Sequence, residues 1–112
     1  MNANGERRRS PRVNRVFPMR YRVIPVAGKN GYREGNVRDL SLDGLRFQCT
    51  GGLRPKAGLL LELIVPGEQP VRSFGRTAWV RELPGRAGFE VGGRFVDQST
   101  AVRRAIGRHV GV

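Results

Sequence analysis

Between Val16 and Val96 this chain alternates short stretches of period-two hydrophobicity with turns rich in Gly and Pro. Successive side chains of a strand point to opposite faces, so a period of two marks a half-buried strand, and the turns between mark antiparallel connections. The first stretch starts at Val16, where Met19, Tyr21 and Val23 alternate with Arg20 and Arg22. Lys29-Asn30-Gly31 makes a turn, and Arg33 to Leu40 reads as a second extended segment. Ser41-Leu42-Asp43-Gly44 turns the chain again, with Gly44 suited to positive φ, and Leu45, Phe47 and Cys49 form a third strand that ends at Gly51-Gly52. After a Pro55 turn, Leu59 to Val65 is nearly continuous in apolar residues and stops at Pro66-Gly67. Val71 to Glu82 predicts a long strand around Trp79, bent at Gly75, and Ala87 to Val96 another, with a bulge at Gly92-Gly93. These segments predict an all-β fold, an antiparallel barrel or sandwich.

The two ends differ from this middle. Asp97 or Ser99 can cap a helix in which Val102, Ala105, Ile106 and Val110 recur on one face, with Arg103, Arg104, Arg108 and His109 toward its C-terminal half, where cations complement the macrodipole. Its apolar stripe suits packing on the mouth or edge of a barrel. Residues 1–15 are polar, charged and without periodicity, and Pro11 opposes a helix, so they read as a flexible arm before a domain spanning 16–112. A length of 112 residues suits one compact domain and excludes a multi-domain enzyme.

The net charge of +12 comes from 21 basic and 9 acidic residues, and all the basic residues but Lys29 and Lys56 are Arg. Arg offers a planar fork that pairs bidentately with phosphate or with the O6/N7 edge of guanine, which a Lys point charge does not. The first 22 residues carry +6 of that charge, so an anionic partner near the N-terminus is one reading, and a solvated basic tail is the other. One Cys excludes an internal disulfide, and Cys49 with the lone His109 cannot make a zinc cage. Cys49 is expected as a buried small hydrophobe and His109 as a residue of the helix's last turn. No apolar run reaches the roughly 20 residues of a membrane span, and no secretory leader or lipidation motif is present, so a cytoplasmic setting is expected. The acidic residues are scattered singly and Ser41 has no His/Asp partnership in the sequence, which argues against an enzyme.

Two short patterns stand out. Arg8-Arg9-Ser10-Pro11-Arg12 is an R-x-x-x-R, of which about three are expected by chance at this Arg content. Asp39-Leu40-Ser41-Leu42-Asp43-Gly44 is a D-x-S-x-x-G, expected only about 0.04 times by chance in this composition. Asp and Ser side chains that close a local turn account for it structurally, and a binding role accounts for it functionally.

An Arg-rich arm entering a first strand, D-x-S-x-x-G at the junction of the second and third strands, then further strands and a C-terminal helix resembles the PilZ domain family over residues 6–110. The matching stretches are residues 6–13 and 37–45, with weaker support from 75–80 and 89–95, and a 26-residue gap between Arg12 and Asp39. The resemblance implies a six-stranded antiparallel β-barrel with a C-terminal helix that binds the bacterial second messenger cyclic di-GMP. It implies that Arg8 and Arg12 contact guanine and phosphate, assisted by Arg7 or Arg9. Asp39 and Ser41, on the barrel surface, would meet the guanine and orient the arginines, and Gly44 would keep the turn open. Arg38 and Arg46 flank the motif and add candidate phosphate contacts. Trp79 is either a stacking face for a purine or ordinary packing. The ligand would draw the arm onto the barrel and change the surface shown to a downstream protein, with no other cofactor and no metal. Two alternatives remain: a small basic barrel that binds RNA or DNA non-specifically, and a ligand-free adaptor for proteins. Against the first, Phe17, Tyr21, Phe47, Phe74, Trp79, Phe89 and Phe95 fall mostly at apolar-alternating positions rather than on an exposed platform.

Overall fold

In the computed structural model, which describes residues 13–24, 31–96 and 98–110, the alternating stretches pair edge to edge into a closed antiparallel barrel. The strands are β1 (Val13–Ile24), β2 (Arg33–Leu40), β3 (Gly44–Cys49), β4 (Gly58–Leu63), β5 (Val71–Glu82) and β6 (Phe89–Val96). Their order around the barrel is β1-β2-β3-β6-β5-β4, and β1 returns to β4 through pairs from Met19↔Leu63 to Ile24↔Gly58. Closure leaves no edge strand exposed, which is how a small all-β chain avoids edge-to-edge association.

The inward set follows the sequence alternation. Phe17, Met19 and Tyr21 of β1, Val37 and Leu40 of β2, Leu45 and Phe47 of β3, Leu59, Leu61 and Leu63 of β4, and Val91 of β6 are all buried. Tyr21 and Phe47 stack obliquely with ring centroids 5.5 Å apart, and burial pushes the Tyr21 hydroxyl up to about 12, so it stays neutral. Cys49 is a free buried thiol, as its alternation with Phe47 indicated. The helix α1 (Thr100–Val110) lies against β5, with Ala105, Ile106 and Val110 buried. Ser99 is its cap among the described residues, its Oγ accepting from Val102 N at 3.2 Å and its carbonyl from Arg103 N at 3.0 Å. His109 falls in the last turn but is half-buried, with Nε2 3.7 Å from Glu68, whose carboxylate also takes two hydrogen bonds from Arg108. No helix among the described residues is long and apolar enough to cross a membrane.

Three boundaries differ from the sequence reading. β1 begins at Val13, three residues earlier than the hydrophobic alternation, because Val13 and Asn14 pair with Leu40 and Asp39. The strand therefore takes in residues 13–15 of the expected arm. β4 ends at Leu63, and Ile64 beyond it is exposed. Pro84–Arg86 forms a 3-10 turn, so β6 starts at Phe89 rather than Ala87.

On the outer face, Glu62 of β4 lies between Arg20 of β1 and Arg72 of β5, its direct neighbours in the register. Arg20 Nε donates to its Oε1 at 2.7 Å and Arg72 Nε to its Oε2 at 3.0 Å. The hydrogen bonds from Arg20 and then Arg72 hold the carboxyl below its ordinary value of 4.5. A carboxyl lowered on folding adds stability above its unfolded value, and that contribution is lost as pH falls through the folded value. We therefore expect Glu62→Gln to lower the urea midpoint at pH 7, with the gap to wild type closing as pH falls below 4.5. A gap independent of pH would show that the ion triad does not stabilise the barrel. Leu61→Ala, in the fully buried inward set, should cost about 2–5 kcal/mol in the same measurement at any pH.

Candidate functional site

Strict alternation would carry Asp39 and Trp79 into the core, and two irregularities prevent it. In β2, Val37 pairs with Phe47 and Leu40 with Leu45, all inward, although Val37 and Leu40 are three residues apart. Arg38 is the extra residue, and it turns Asp39 outward. In β5, Thr77 pairs with Gly93 and Val80 with Val91, again inward positions three apart, so Ala78 is the extra residue and Trp79 turns outward. A bulge resets which face a strand presents from that point on. The bulge expected at Gly92-Gly93 thus lies on the facing strand, and the bend expected at Gly75 is not where the register breaks.

The two resets align the outward residues into one cross-strand row: Asp39 of β2, Arg46 of β3, Gly92 of β6 and Trp79 of β5, with Asn14 of β1 paired to Asp39 in the register. The next row holds Gln48, Glu90 and Arg81. Arg46 joins the two rows. Its Nε donates to Asp39 Oδ2 at 2.7 Å and its Nη1 to Glu90 Oε2 at 2.8 Å. Glu90 also accepts from Arg81 and, at 3.4 Å, from Gln48 Nε2. The hydrogen bond to Asp39 leads the causes that push the Arg46 guanidinium above its ordinary value. Two of the five guanidinium N–H donors are used in these bonds, so the fork is held in place with donors still available to a ligand.

Trp79 is 42% exposed, and its indole sits against Gly92 of β6. A β-carbon at residue 92 would stand 2.1 Å from the indole Nε1, so only Gly admits the ring there. Packing against the barrel and presentation to solvent are both satisfied by this pose: the indole is seated at Gly92 and is still partly exposed.

The D-x-S-x-x-G turn is built differently from the expectation. Asp39 and Ser41 are buried, at 5% and 3% exposure, rather than displayed on the barrel surface, because Arg46 covers the first and the turn folds over the second. Ser41 Oγ accepts from the backbone N–H groups of Asp43 and Gly44, both at 3.2 Å, and Ser41 N donates to Gly44 O at 2.8 Å. Gly44 is not in the left-handed region. It must be glycine because a β-carbon would stand 2.2 Å from Gly93 O, so it allows β3 to approach β6. Arg7, Arg8, Arg9 and Arg12 lie outside the described residues.

Of the predicted site residues, the fold therefore brings Asp39 and Trp79, with the flanking Arg46, into one cross-strand row, and Ser41 and Gly44 into the turn between β2 and β3 that adjoins it. Sequence reasoning missed Glu90, Gln48 and Arg81, and read Gly92 as part of a bulge rather than as the seat of Trp79. Only the cross-strand register makes them neighbours of the site. Phe74 was placed among apolar-alternating positions and is instead 54% exposed. Among the described residues, no three His, Cys, Asp or Glu side chains cluster as metal ligands.

A model of the PilZ domain family matches residues 6–111. An uncharacterized protein of Aquifex aeolicus is 33% identical over 88 residues, which cover 78% of this chain and 42% of that protein, so the chain spans about two-fifths of its length. The PilZ domain of YcgR from Escherichia coli with cyclic di-GMP superposes with a TM-score of 0.73 at 16% identity, covering 94% of this chain and 89% of that one. The inhibitor of motility MotI/DgrA of Bacillus subtilis superposes with a TM-score of 0.76 at 13% identity, covering 93% of this chain and 49% of that one.

The single tryptophan makes the row directly observable. Gly92→Ala should displace the indole, shift its fluorescence emission, and cost about 1–3 kcal/mol by overpacking. An unchanged spectrum and stability would show that Trp79 does not lie on Gly92.

Proposed function

The chain belongs to the PilZ domain family, and from that premise we propose that it is a receptor for cyclic di-GMP, bound over the row of Asp39, Arg46 and Trp79 and closed by the arginines that precede β1. The observation that carries this reading is the row itself. Two bulges and two close-approach glycines set a partly exposed indole in the same row as an Arg fork held by carboxylates. A purine needs such a pair: a flat surface for its ring and a bidentate donor for its O6/N7 edge. The YcgR domain that shares this fold is itself described with cyclic di-GMP.

The charge balance of the barrel face supports a role for the N-terminal arginines in the rest of the site. Within the two rows, Asp39 and Glu90 balance Arg46 and Arg81, so the barrel face offers little net attraction to a ligand with two phosphates. Arg12 is covalently joined to Val13, whose neighbour Asn14 pairs with Asp39, and Arg7, Arg8 and Arg9 follow within a few residues of chain. Arg8 and Arg12 take phosphate and guanine in this proposal, with Arg7 or Arg9 assisting. Ser41 and Gly44 shape the turn that fixes Asp39. Closure of the arm changes the surface shown to a protein partner, so the chain acts by binding and not by catalysis.

Titration calorimetry with cyclic di-GMP tests the proposal. We expect saturable binding at micromolar ligand, and a loss of about ten- to a hundredfold in affinity for Arg8→Ala and for Arg12→Ala, the range for one charge-assisted contact. Affinity should fall only shallowly with salt, since two phosphates are neutralised, whereas polynucleotide binding falls steeply. No saturable heat at tens of micromolar ligand overturns the receptor reading, and unchanged affinity in both Arg variants overturns the site.

A further inference from the structure

Phe74 lies on the same outward face of β5 as Trp79 but nearer the start of the strand, and it is the most exposed aromatic side chain among the described residues, at 54%. The register places it directly between Leu60 of β4 and Val96 of β6, both half-exposed, so an apolar strip crosses three strands. Leu60, Phe74 and Val102 of α1, with Arg72 at the side, also bound a cavity of about 210 Å³, room for one apolar side chain.

The rows on either side of the strip differ in charge balance. On one side Arg72 is engaged with Glu62. On the other, Arg76 of β5 stands directly opposite Arg94 of β6, both exposed, and neither has a carboxylate partner among the described residues. Like charges directly opposite on neighbouring strands are unfavourable, and a carboxylate placed between them relieves the repulsion. Arg forks accept carboxylates bidentately, and an aromatic ring flanked by Arg is the composition of an interface centre.

We propose that this strip is a docking surface for an acidic segment of a partner protein, which seats one large apolar side chain against Phe74 and sets its carboxylates on Arg76 and Arg94. Charge complementarity selects this occupant over the others. A second copy of the chain would bring two Arg76–Arg94 pairs together. Residues 1–12 carry four Arg against one Glu and meet the same repulsion. A nucleic acid would find one ring between two aliphatic side chains, with no succession of rings on which bases stack. The strip shares no residue with the Asp39–Trp79 row, so the inference stands whether or not cyclic di-GMP binds there.

The test uses the full chain without cyclic di-GMP, titrated with a synthetic acidic peptide carrying Leu and Phe and followed by amide chemical shifts and fluorescence anisotropy. A peptide of the same charge with Ser at the apolar positions is the control. We expect shifts concentrated at residues 60, 72–76 and 94–96, and at least about tenfold weaker binding for Phe74→Ser and a clear loss for Arg76→Gln. Arg33→Gln, which removes the same charge from β2 across the barrel, should leave binding unchanged. Both strip residues are exposed, and thermal unfolding of each variant verifies that the fold is kept. Equal binding of the Ser peptide, shifts centred elsewhere, or affinity insensitive to Phe74→Ser overturns the proposal. So does dimerisation of the wild type through Phe74, or displacement of the peptide by a single-stranded oligonucleotide at the same amides.

Discussion

A residue in a closed barrel faces either the core or the outside, and each strand must satisfy a neighbour on both sides. That parity constraint governs everything on the outer face of this protein. Val37 and Leu40 both have to be inward to pack with Phe47 and Leu45, and so do Thr77 and Val80 to meet Gly93 and Val91. Each requirement forces one extra residue into its strand. The side chains released to the outside by those insertions are Asp39 and Trp79, and closure around the barrel brings them into one row with Arg46 and Gly92. The candidate site is thus a by-product of packing demands in two strands that do not pair with each other.

The second organising force is the scarcity of acid. Nine carboxylates among 21 cations cannot neutralise the surface, so where each carboxylate sits decides which arginines are held still. Asp39, Glu62 and Glu90 are buried and each is gripped by an Arg from an adjacent strand, since a carboxylate taken out of water needs a partner. Arg46, Arg20 and Arg72 are fixed by these contacts. Arg76 and Arg94 are left facing each other, so the outer face of the barrel carries a balanced patch at Asp39–Glu90 and an unbalanced one beside Phe74.

Much of this was legible from residue order, because it depends on local patterns. The alternation of Met19, Tyr21 and Val23, the turn at Ser41–Gly44 and the spacing of Val102, Ala105 and Ile106 report which residues can be buried together without reference to any other part of the chain. The D-x-S-x-x-G pattern was visible through its rarity, and its turn is indeed made by Ser41 Oγ on the backbone of Asp43 and Gly44. The reason for Gly44 was not visible. It lies in Gly93 O, a carbonyl on a strand far along the chain, and not in the local conformation.

By itself, then, the sequence determined the strand content, the terminal helix, the inward set, the family resemblance and the concentration of Arg, all of which follow from period, capping and composition. Only the tertiary structure decided that Asp39 and Trp79 face outward, that Arg46 is shared between Asp39 and Glu90, and that Phe74 is exposed between Leu60 and Val96. The physical reason is that a bulge is defined by two strands together: an extra residue exists only relative to the partner it is paired with, and the pairing is a property of the closed barrel.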